Sequence, residues 1–216
     1  MLSNNNNSIK FYGTYDENNE KVIIMEKCDK NLKQFINERG KGMEIEEIKN
    51  KFEELNELFE IFQREKIIHR DLKLENFLIK YTDKKKSEYI IKLCDYGIGK
   101  FKNKSNGLYS GLKGSIDTVA PEIILEKTQK YENSVDIFSL GIILYQLSHN
   151  LKHPFGENYI QYGNVYNNYY EKDNFIIEFD KSIKNKDFID LITKMTKLNP
   201  KNRLKWDEYF MHPFFK

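Results

Sequence analysis

Three side chains with complementary chemistry lie within six residues, from Asp71 to Asn76, in this 216-residue chain. Asp71 carries a carboxylate that can accept a proton from an attacking hydroxyl group. Lys73 carries an ammonium that can offset charge on a moving phosphoryl group, and Asn76 carries an amide oxygen that can bind a hard cation. Any loop between a helix and a strand is polar, because its backbone needs solvent, so polarity alone predicts only a connection. The three residue types together favour phosphoryl transfer.

The segment 69–76 reads H-R-D-L-K-L-E-N and resembles the catalytic loop of eukaryotic protein kinases. Two further motifs follow in the order typical of that family, D-Y-G at 95–97 and A-P-E at 120–122. Asp-x-Gly is also a common turn sequence, so the second motif alone is equally consistent with a turn at the end of a strand. The three motifs in succession favour the kinase interpretation.

The resemblance implies transfer of the ATP γ-phosphate to serine or threonine hydroxyls of protein substrates, with Mg²⁺ present. Asp71 would orient and deprotonate the hydroxyl, and Lys73 would offset charge on the phosphoryl group. Asn76 and Asp95 would hold the metal ion. Each of these roles is carried over from the family by position in the motif.

The resemblance also predicts where the nucleotide base binds. Glu26 and Cys28 match the hinge whose backbone groups contact adenine, and Leu78 matches the floor under the base. Met25 matches the side chain that guards the pocket behind it. Without the resemblance, single apolar residues such as Leu78 are more simply interpreted as core, and Cys94 as a small buried hydrophobic residue.

Two further positions predict ties that support the loop. Asp136 begins an apolar helix and allows two accounts: it either completes a capping box with Asn133 or binds the backbone of the catalytic loop, as the family equivalent does. We favour the second, because one carboxylate can accept several N–H groups. Glu122 and Arg203 match a family ion pair, whose contribution depends on burial.

Other positions bear on substrates and regulation. Thr118 stands where the family usually has Tyr, which leaves substrate positioning in doubt. Lys73 and Ser115 are typical of serine/threonine-directed members. Gln146 lacks the acidity of many members that prefer basic substrates, which leaves Glu75 as the one hint of such a preference.

Arg70 matches the arginine that binds an activation-loop phosphate, so phosphorylation at Tyr109 or Ser110 is predicted to order the segment 101–115.

No G-x-G-x-x-G phosphate loop occurs in the chain, and nothing before Lys10 resembles the lysine that grips the ATP phosphates. The sequence therefore predicts either a fragment of a kinase or a degenerate one. The competing hypothesis is a non-catalytic scaffold or regulatory module. The intact Asp71, Lys73, Asn76 and Asp95 speak against that hypothesis, and the missing lysine speaks for it.

Hydrophobic periodicity indicates the elements that position these residues. Two strands at 10–13 and 22–25 are predicted to form a hairpin, and short strands are predicted at 77–80 and 89–93. Apolar residues at steps of three and four predict a helix from Ile45 to about Lys66, and 135–147 is apolar enough for a helix buried on all sides. The segment 155–175 shows no clear period.

The predicted fold class is α+β: a mostly helical large lobe of a protein kinase with a largely absent small lobe. We expect a disordered Asn-rich N-terminus at 1–8 and a remnant of the small lobe at 9–25. The hinge is expected at 26–29 and the large lobe at 30–216.

The charge balance is nearly neutral, with 35 Lys and Arg against 33 Asp and Glu and a formal charge of +2. This balance gives no indication of nucleic acid or an anionic membrane as a partner. Cys28 and Cys94 lack metal-ligand spacing, which argues against zinc and disulfides and fits an intracellular location. The oligomeric state stays open.

Overall fold

The computed structural model describes residues 5–95, 116–125, 127 and 133–216. Its N-terminal part contains a hairpin of β1 (Phe11–Glu17) and β2 (Glu20–Met25), paired antiparallel. Asn18 and Asn19 form the turn with left-handed φ angles of 50° and 64°, a conformation that asparagine tolerates well. The predicted hairpin is confirmed, and both strands extend further into the turn than predicted.

Residues 5–8 are not disordered, contrary to the expectation for 1–8. Ser8 forms a parallel bridge with Leu93, whose N–H donates to the Asn7 carbonyl at 2.7 Å. The Asn7 side chain also donates to the Ile91 carbonyl at 2.9 Å. The polar composition misled the prediction, because Asn7 satisfies the backbone at the edge of a strand and is buried rather than facing water.

The second sheet contains β3 (Lys30–Asn31), β4 (Phe77–Tyr81) and β5 (Tyr89–Leu93), antiparallel in that order. One face packs into the core, and its four residues are fully buried: Phe77, Ile79, Ile91 and Leu93. Because side chains alternate along a strand, Leu78 and its cross-strand partner Lys92 lie on the opposite face.

The described ranges contain seven α-helices: α1 (Leu32–Arg39), α2 (Ile45–Arg64), α3 (Pro121–Ile124), α4 (Ser134–Ser148), α5 (Tyr159–Tyr169), α6 (Lys186–Met195) and α7 (Trp206–Phe210). Asn31 begins α1 with a capping box, and Gly40 ends it in the left-handed region. Helix α5 lies in the segment for which the sequence showed no period. Its N-terminus is capped by Asn158, whose side chain accepts from two backbone N–H groups.

Helix α4 is the centre of the helical part. Every residue from Val135 to Leu147 is buried, as its apolar composition predicts. It contacts α2 and, more extensively, α6, and the adjoining core continues to the second sheet. Helices with two small antiparallel sheets form the expected α+β fold. Within the described ranges, no helix has both the length and the apolarity needed to cross a membrane.

Candidate active site

A buried carboxylate holds the loop 69–76 in place. Asp136, at the start of α4, accepts hydrogen bonds from the backbone N–H groups of His69 at 2.7 Å and Arg70 at 2.8 Å. Asn133 does not complete a capping box, since its side chain donates to Gln63 at 2.9 Å. The predicted tie between α4 and the loop is therefore confirmed. Burial raises the pKa of Asp136 to about 6, although the two N–H groups oppose that rise.

The three residues predicted to be catalytic lie together. Lys73 Nζ is 2.8 Å from Asp71 Oδ2, and both side chains are largely buried. Asn76 Nδ2 donates to the Asp71 carbonyl at 2.7 Å and to its carboxylate at 3.2 Å. The loop thus presents a carboxylate whose orientation is set by an ammonium and an amide, and this arrangement can direct a hydroxyl toward a phosphoryl group.

His69 connects this loop to Asp95. Its Nε2 donates to the Cys94 carbonyl at 3.1 Å, while the Cys94 N–H donates to the Asn76 carbonyl at 3.0 Å. Asp95 follows at once, with a left-handed φ of 57° that is uncommon for an aspartate. Burial lowers the pKa of His69 to about 4, although its bond to Cys94 opposes the shift, so the ring is neutral at physiological pH.

The side chains of Asn76 and Asp95 carry the oxygen atoms that a hard cation prefers. Because the Asn76 amide donates to Asp71 through Nδ2, its oxygen Oδ1 is turned the other way and can serve as a ligand. The Cys94 N–H donates to the Asn76 carbonyl, and Asp95 is the next residue after Cys94. The Asn76 and Asp95 side chains therefore branch from neighbouring parts of the backbone. One amide oxygen and one carboxylate are the kind of oxygen ligands that Mg²⁺ prefers when phosphates and water complete its shell.

Glu26, predicted at the hinge, is held by two lysines. Its buried carboxylate contacts Lys80 and lies 3.1 Å from Lys92, which is itself 3% exposed. Burial alone would raise the pKa of Glu26, but the hydrogen bonds from Lys80 and Lys92 outweigh it and hold the pKa below its usual value. The Glu26 N–H donates to the Lys10 carbonyl at 2.8 Å, so its carbonyl oxygen is the backbone group that could accept from a base.

The other residues predicted at the base lie near this hinge. Leu78 is half-buried on the sheet face that also carries Lys92. Burial raises the pKa of both the Cys28 and the Cys94 thiol, that of Cys94 to about 11. Both thiols therefore stay protonated, as expected for small hydrophobic residues rather than nucleophiles.

The segment before α3 is tied to the same loop. Thr118, which replaces the usual Tyr, donates from Oγ1 to the Leu72 carbonyl at 2.6 Å. Ser139 of α4 donates to the Thr118 carbonyl at 2.7 Å. His153 Nε2 donates to the Asp117 carbonyl at 2.7 Å. These bonds remove part of the doubt about Thr118, because the short side chain still fixes this segment beside the catalytic loop.

The end of this segment is anchored by a buried ion pair. Arg203 donates from Nη1 and Nη2 to the two oxygens of Glu122 at 2.7 and 2.9 Å. The side chains are 0% and 4% exposed, and Arg203 also donates to three backbone carbonyls. The predicted pair is therefore present in its buried form, in which loss of one partner is costly.

Glu75 does not stand as an open acidic site. Its carboxylate accepts from Lys33 Nζ at 2.7 Å, and this hydrogen bond raises the pKa of Lys33. Burial raises the pKa of the nearby Asp117, while Lys33 opposes that rise. Glu75, the one residue that hinted at a preference for basic substrates, is thus already paired with Lys33.

Sequence reasoning missed several of these contacts. It assigned no function to His69 beyond its place in the motif, and it did not consider His153 or Lys92. The sequence held a weak signal for Lys92, because it alternates with core residues along β5. Its side chain therefore lies on the sheet face opposite the core. The D-Y-G tyrosine and glycine, Tyr109, Ser110 and Ser115 lie outside the described residues.

A loop with aspartate, lysine and asparagine, fastened by a buried carboxylate and followed by a second aspartate, is the arrangement typical of the protein kinase family. The whole-chain comparison agrees: residues 1–215 match the protein kinase domain, and the chain belongs to this family.

Among curated proteins, the chain is similar to several serine/threonine kinases. It is 30% identical to the carbon catabolite-derepressing protein kinase of Candida tropicalis over 210 residues, which cover 96% of this chain and 31% of that protein. It is also 30% identical to the serine/threonine-protein kinase ATG1a of Arabidopsis thaliana over 215 residues, covering 97% of this chain and 32% of that protein.

A third relative is the serine/threonine-protein kinase/endoribonuclease ire-1 of Caenorhabditis elegans. It is 36% identical over 155 residues, which cover 69% of this chain and 15% of that protein. The chain spans about a third or less of the length of these relatives. By family, it is a protein serine/threonine kinase.

Proposed function

We propose that the chain transfers the ATP γ-phosphate to serine or threonine hydroxyls of protein substrates, through Asp71, Lys73, Asn76 and Asp95. The single observation that carries the proposal is the Asp71–Lys73–Asn76 cluster, with distances of 2.8 and 3.2 Å to the Asp71 carboxylate. Partial burial of three polar side chains costs free energy, and a catalytic role accounts for that cost.

The chemistry follows from the geometry of the loop. Asp71 accepts the hydrogen bond of the substrate hydroxyl and then its proton. The hydroxyl oxygen forms a bond to the γ-phosphorus while the bond from that phosphorus to the bridging oxygen breaks, which leaves ADP. Lys73 stays beside Asp71 and offsets negative charge on the group in transfer.

Nucleotide and metal are assigned to neighbouring positions. Asn76 Oδ1 and the Asp95 carboxylate would hold Mg²⁺, which neutralises charge on the phosphates when it is bound. The Glu26 carbonyl and the Cys28 backbone would contact adenine, with Leu78 beneath it. The buried bonds from Lys80 and Lys92 to Glu26 support this assignment, because they fix the hinge before a nucleotide binds.

The experiment measures radiolabelled phosphate transfer from Mg·ATP to a serine-rich protein acceptor. It compares the chain, its Asp71→Asn variant and a version extended upstream. We expect Asp71→Asn to lower the rate of whichever version is active by at least about a hundredfold, because the general base is lost. Asp187→Asn, an exposed change in the first turn of α6, is the matched control and should leave the rate unchanged.

Two results would count against the proposal. Equal rates for the wild type and the Asp71→Asn variant would mean that any transfer does not use this loop. Inactivity of every version, including the extended one, would favour the non-catalytic scaffold.

A further inference from the structure

A small cavity lies directly beside the proposed catalytic lysine. Its volume is about 80 Å³, and one wall is Lys73 itself. The other lining residues come from α1, the catalytic loop, the segment before α3, the last turns of α4 and the residues just after it: Lys33, Leu74, Glu75, Asp117, Thr118, Gln146 and Leu151. Since Lys73 contacts Asp71, residues that flank a hydroxyl bound at Asp71 must pass close to this cavity.

Two carboxylates and one shared cation define the charge of the cavity wall. Lys33 Nζ lies 2.7 Å from Glu75 Oε1, and the two side chains are 48% and 37% exposed. Lys33 also acts on the Asp117 carboxyl. Lys73 is already engaged by Asp71, so Lys33 is the cation available to both carboxylates among the described residues that line the cavity.

We infer that Lys33 occupies the place of a basic substrate residue. The groove beside Asp71 therefore has no binding preference for arginine or lysine near the acceptor hydroxyl. This inference rests on the proposed function, since it takes the groove as the path of a protein substrate. A substrate arginine at Glu75 would have to compete with Lys33, which already contacts Oε1 of that carboxylate at 2.7 Å. That exchange replaces one partly exposed ion pair by another and gains little free energy.

The substrate class that follows is a serine- or threonine-containing segment whose flanking residues are neutral. Among the remaining walls, Gln146, Thr118 and Leu151 offer no charge to a flanking residue. Asp117 is the charged exception, and Lys33 acts on its carboxyl as it does on that of Glu75. This specificity would arise because Lys33 competes with basic substrates for Glu75, and not because neutral substrates gain a favourable contact.

A purely structural account of the same ion pair is possible. Lys33 belongs to α1 and Glu75 to the catalytic loop, so the pair could serve only to hold these two elements together. In that case, removing Lys33 would change stability and leave peptide selectivity as it was. The two accounts are therefore separable by measuring selectivity directly.

The test measures binding of fluorescent peptides to the chain by anisotropy. Each peptide has one serine in an alanine background, with arginine placed at each flanking position in turn. The proteins are the wild type, Lys33→Met and the control Lys194→Met. Lys194 also pairs with a carboxylate at 2.8 Å and is 49% exposed, but it lies on α6 and does not line the cavity.

We expect the wild type and Lys194→Met to bind arginine and alanine peptides within about twofold of each other. Lys33→Met should bind the arginine peptide about fivefold more tightly at one position, because Glu75 is then open to it. This gain should shrink as salt is added, and Glu75→Gln introduced into Lys33→Met should abolish it.

An unchanged ratio of arginine to alanine binding in Lys33→Met would overturn the inference. So would a failure of that variant to bind the arginine peptide at all. Because binding is read without phosphate transfer, the outcomes stay distinct: a selectivity gain in a chain that never transfers phosphate counts against the proposed function alone.

Discussion

At the scale of single residues, the site depends on buried polar groups that have no direct part in the chemistry. Asp136 is 2% exposed and accepts two backbone N–H groups from the catalytic loop. A carboxylate in such a place is tolerated only because the donors replace the water it has lost. Its removal would leave the donors of His69 and Arg70 buried without an acceptor.

Asp136→Ala should therefore lower the free energy of unfolding by about 2–6 kcal/mol, since each of the two buried N–H groups left without a partner costs about 1–3 kcal/mol. Denaturant unfolding at a pH well above 6, where the carboxylate is ionised, is the measurement. Asp187→Ala is the control, because Asp187 also lies in the first turn of a helix but is exposed. Equal midpoints for both variants would show that the tie to the loop does not stabilise the fold.

His69 makes the fold sensitive to acid. The ring is fully buried, and its pKa is about 4 in the folded chain against an ordinary value of 6.5. A histidine with a lowered folded pKa favours folding while the ring is neutral in both states. That contribution is lost as the pH falls from about 6.5 toward 4, because only the unfolded chain then binds the proton.

When the pH is lowered from about 7 to about 5, the free energy of unfolding of the wild type should therefore fall by about 2 kcal/mol because of His69. A His69→Gln variant should not show this part of the decrease. Glutamine can still donate toward the Cys94 carbonyl but cannot titrate. Urea unfolding of both proteins at the two pH values gives the difference. A parallel decline of the two proteins would mean that the acid sensitivity comes from other groups.

At the scale of elements, the close approach of α4 and α6 depends on a glycine. A Cβ atom placed on Gly141 would lie 2.8 Å from both Met195 Cβ and Thr196 Cγ2. Atoms at that distance overlap, so the two helices would have to move apart within a densely packed core. The glycine is therefore maintained for packing, against the general preference of helices for alanine.

Two matched variants separate packing from helix propensity. Gly141→Ala should destabilise the chain by about 1–3 kcal/mol, as overpacking of a core does. Gly163→Ala should stabilise it by up to about 1 kcal/mol, because Gly163 lies in α5 and no described atom is within 4 Å of its added Cβ. Thermal unfolding gives both values, and a stabilising Gly141→Ala would refute the close approach of α4 and α6.

At the scale of the whole molecule, the β1–β2 hairpin leaves an apolar face uncovered among the described residues. Phe11, Ile23 and Met25 are 63%, 57% and 46% exposed. The register pairs Phe11 with Met25, so the three side chains share one face of the hairpin. A contiguous apolar face of this kind promotes association.

The chain should therefore bind a hydrophobic dye and self-associate with rising concentration. Ile23→Lys should reduce both effects, because it places a charge in the middle of the face. Met211→Lys is the control, since Met211 is 65% exposed but lies at the end of α7. Dye fluorescence and light scattering measure the two effects, and equal reductions in both variants would exclude the hairpin as their cause.

The sequence alone was sufficient where the determining interactions are local. The period of apolar residues from Ile45 to Phe62 predicts α2, because a helical face depends on neighbours a few residues apart. The catalytic loop could be predicted because its residues lie within six positions of each other.

Tertiary structure decided the contacts between residues that are distant in the chain. Lys33 meets Glu75, Lys92 meets Glu26, and residues 5–8 pair with β5 only because folding brings separate elements together. Local periodicity carries no information about such partners, and a polar segment has the same composition whether it faces water or a strand edge. The sequence therefore determined which groups are proposed to perform the chemistry, and the fold determined which of their neighbours are paired with charges from distant parts of the chain.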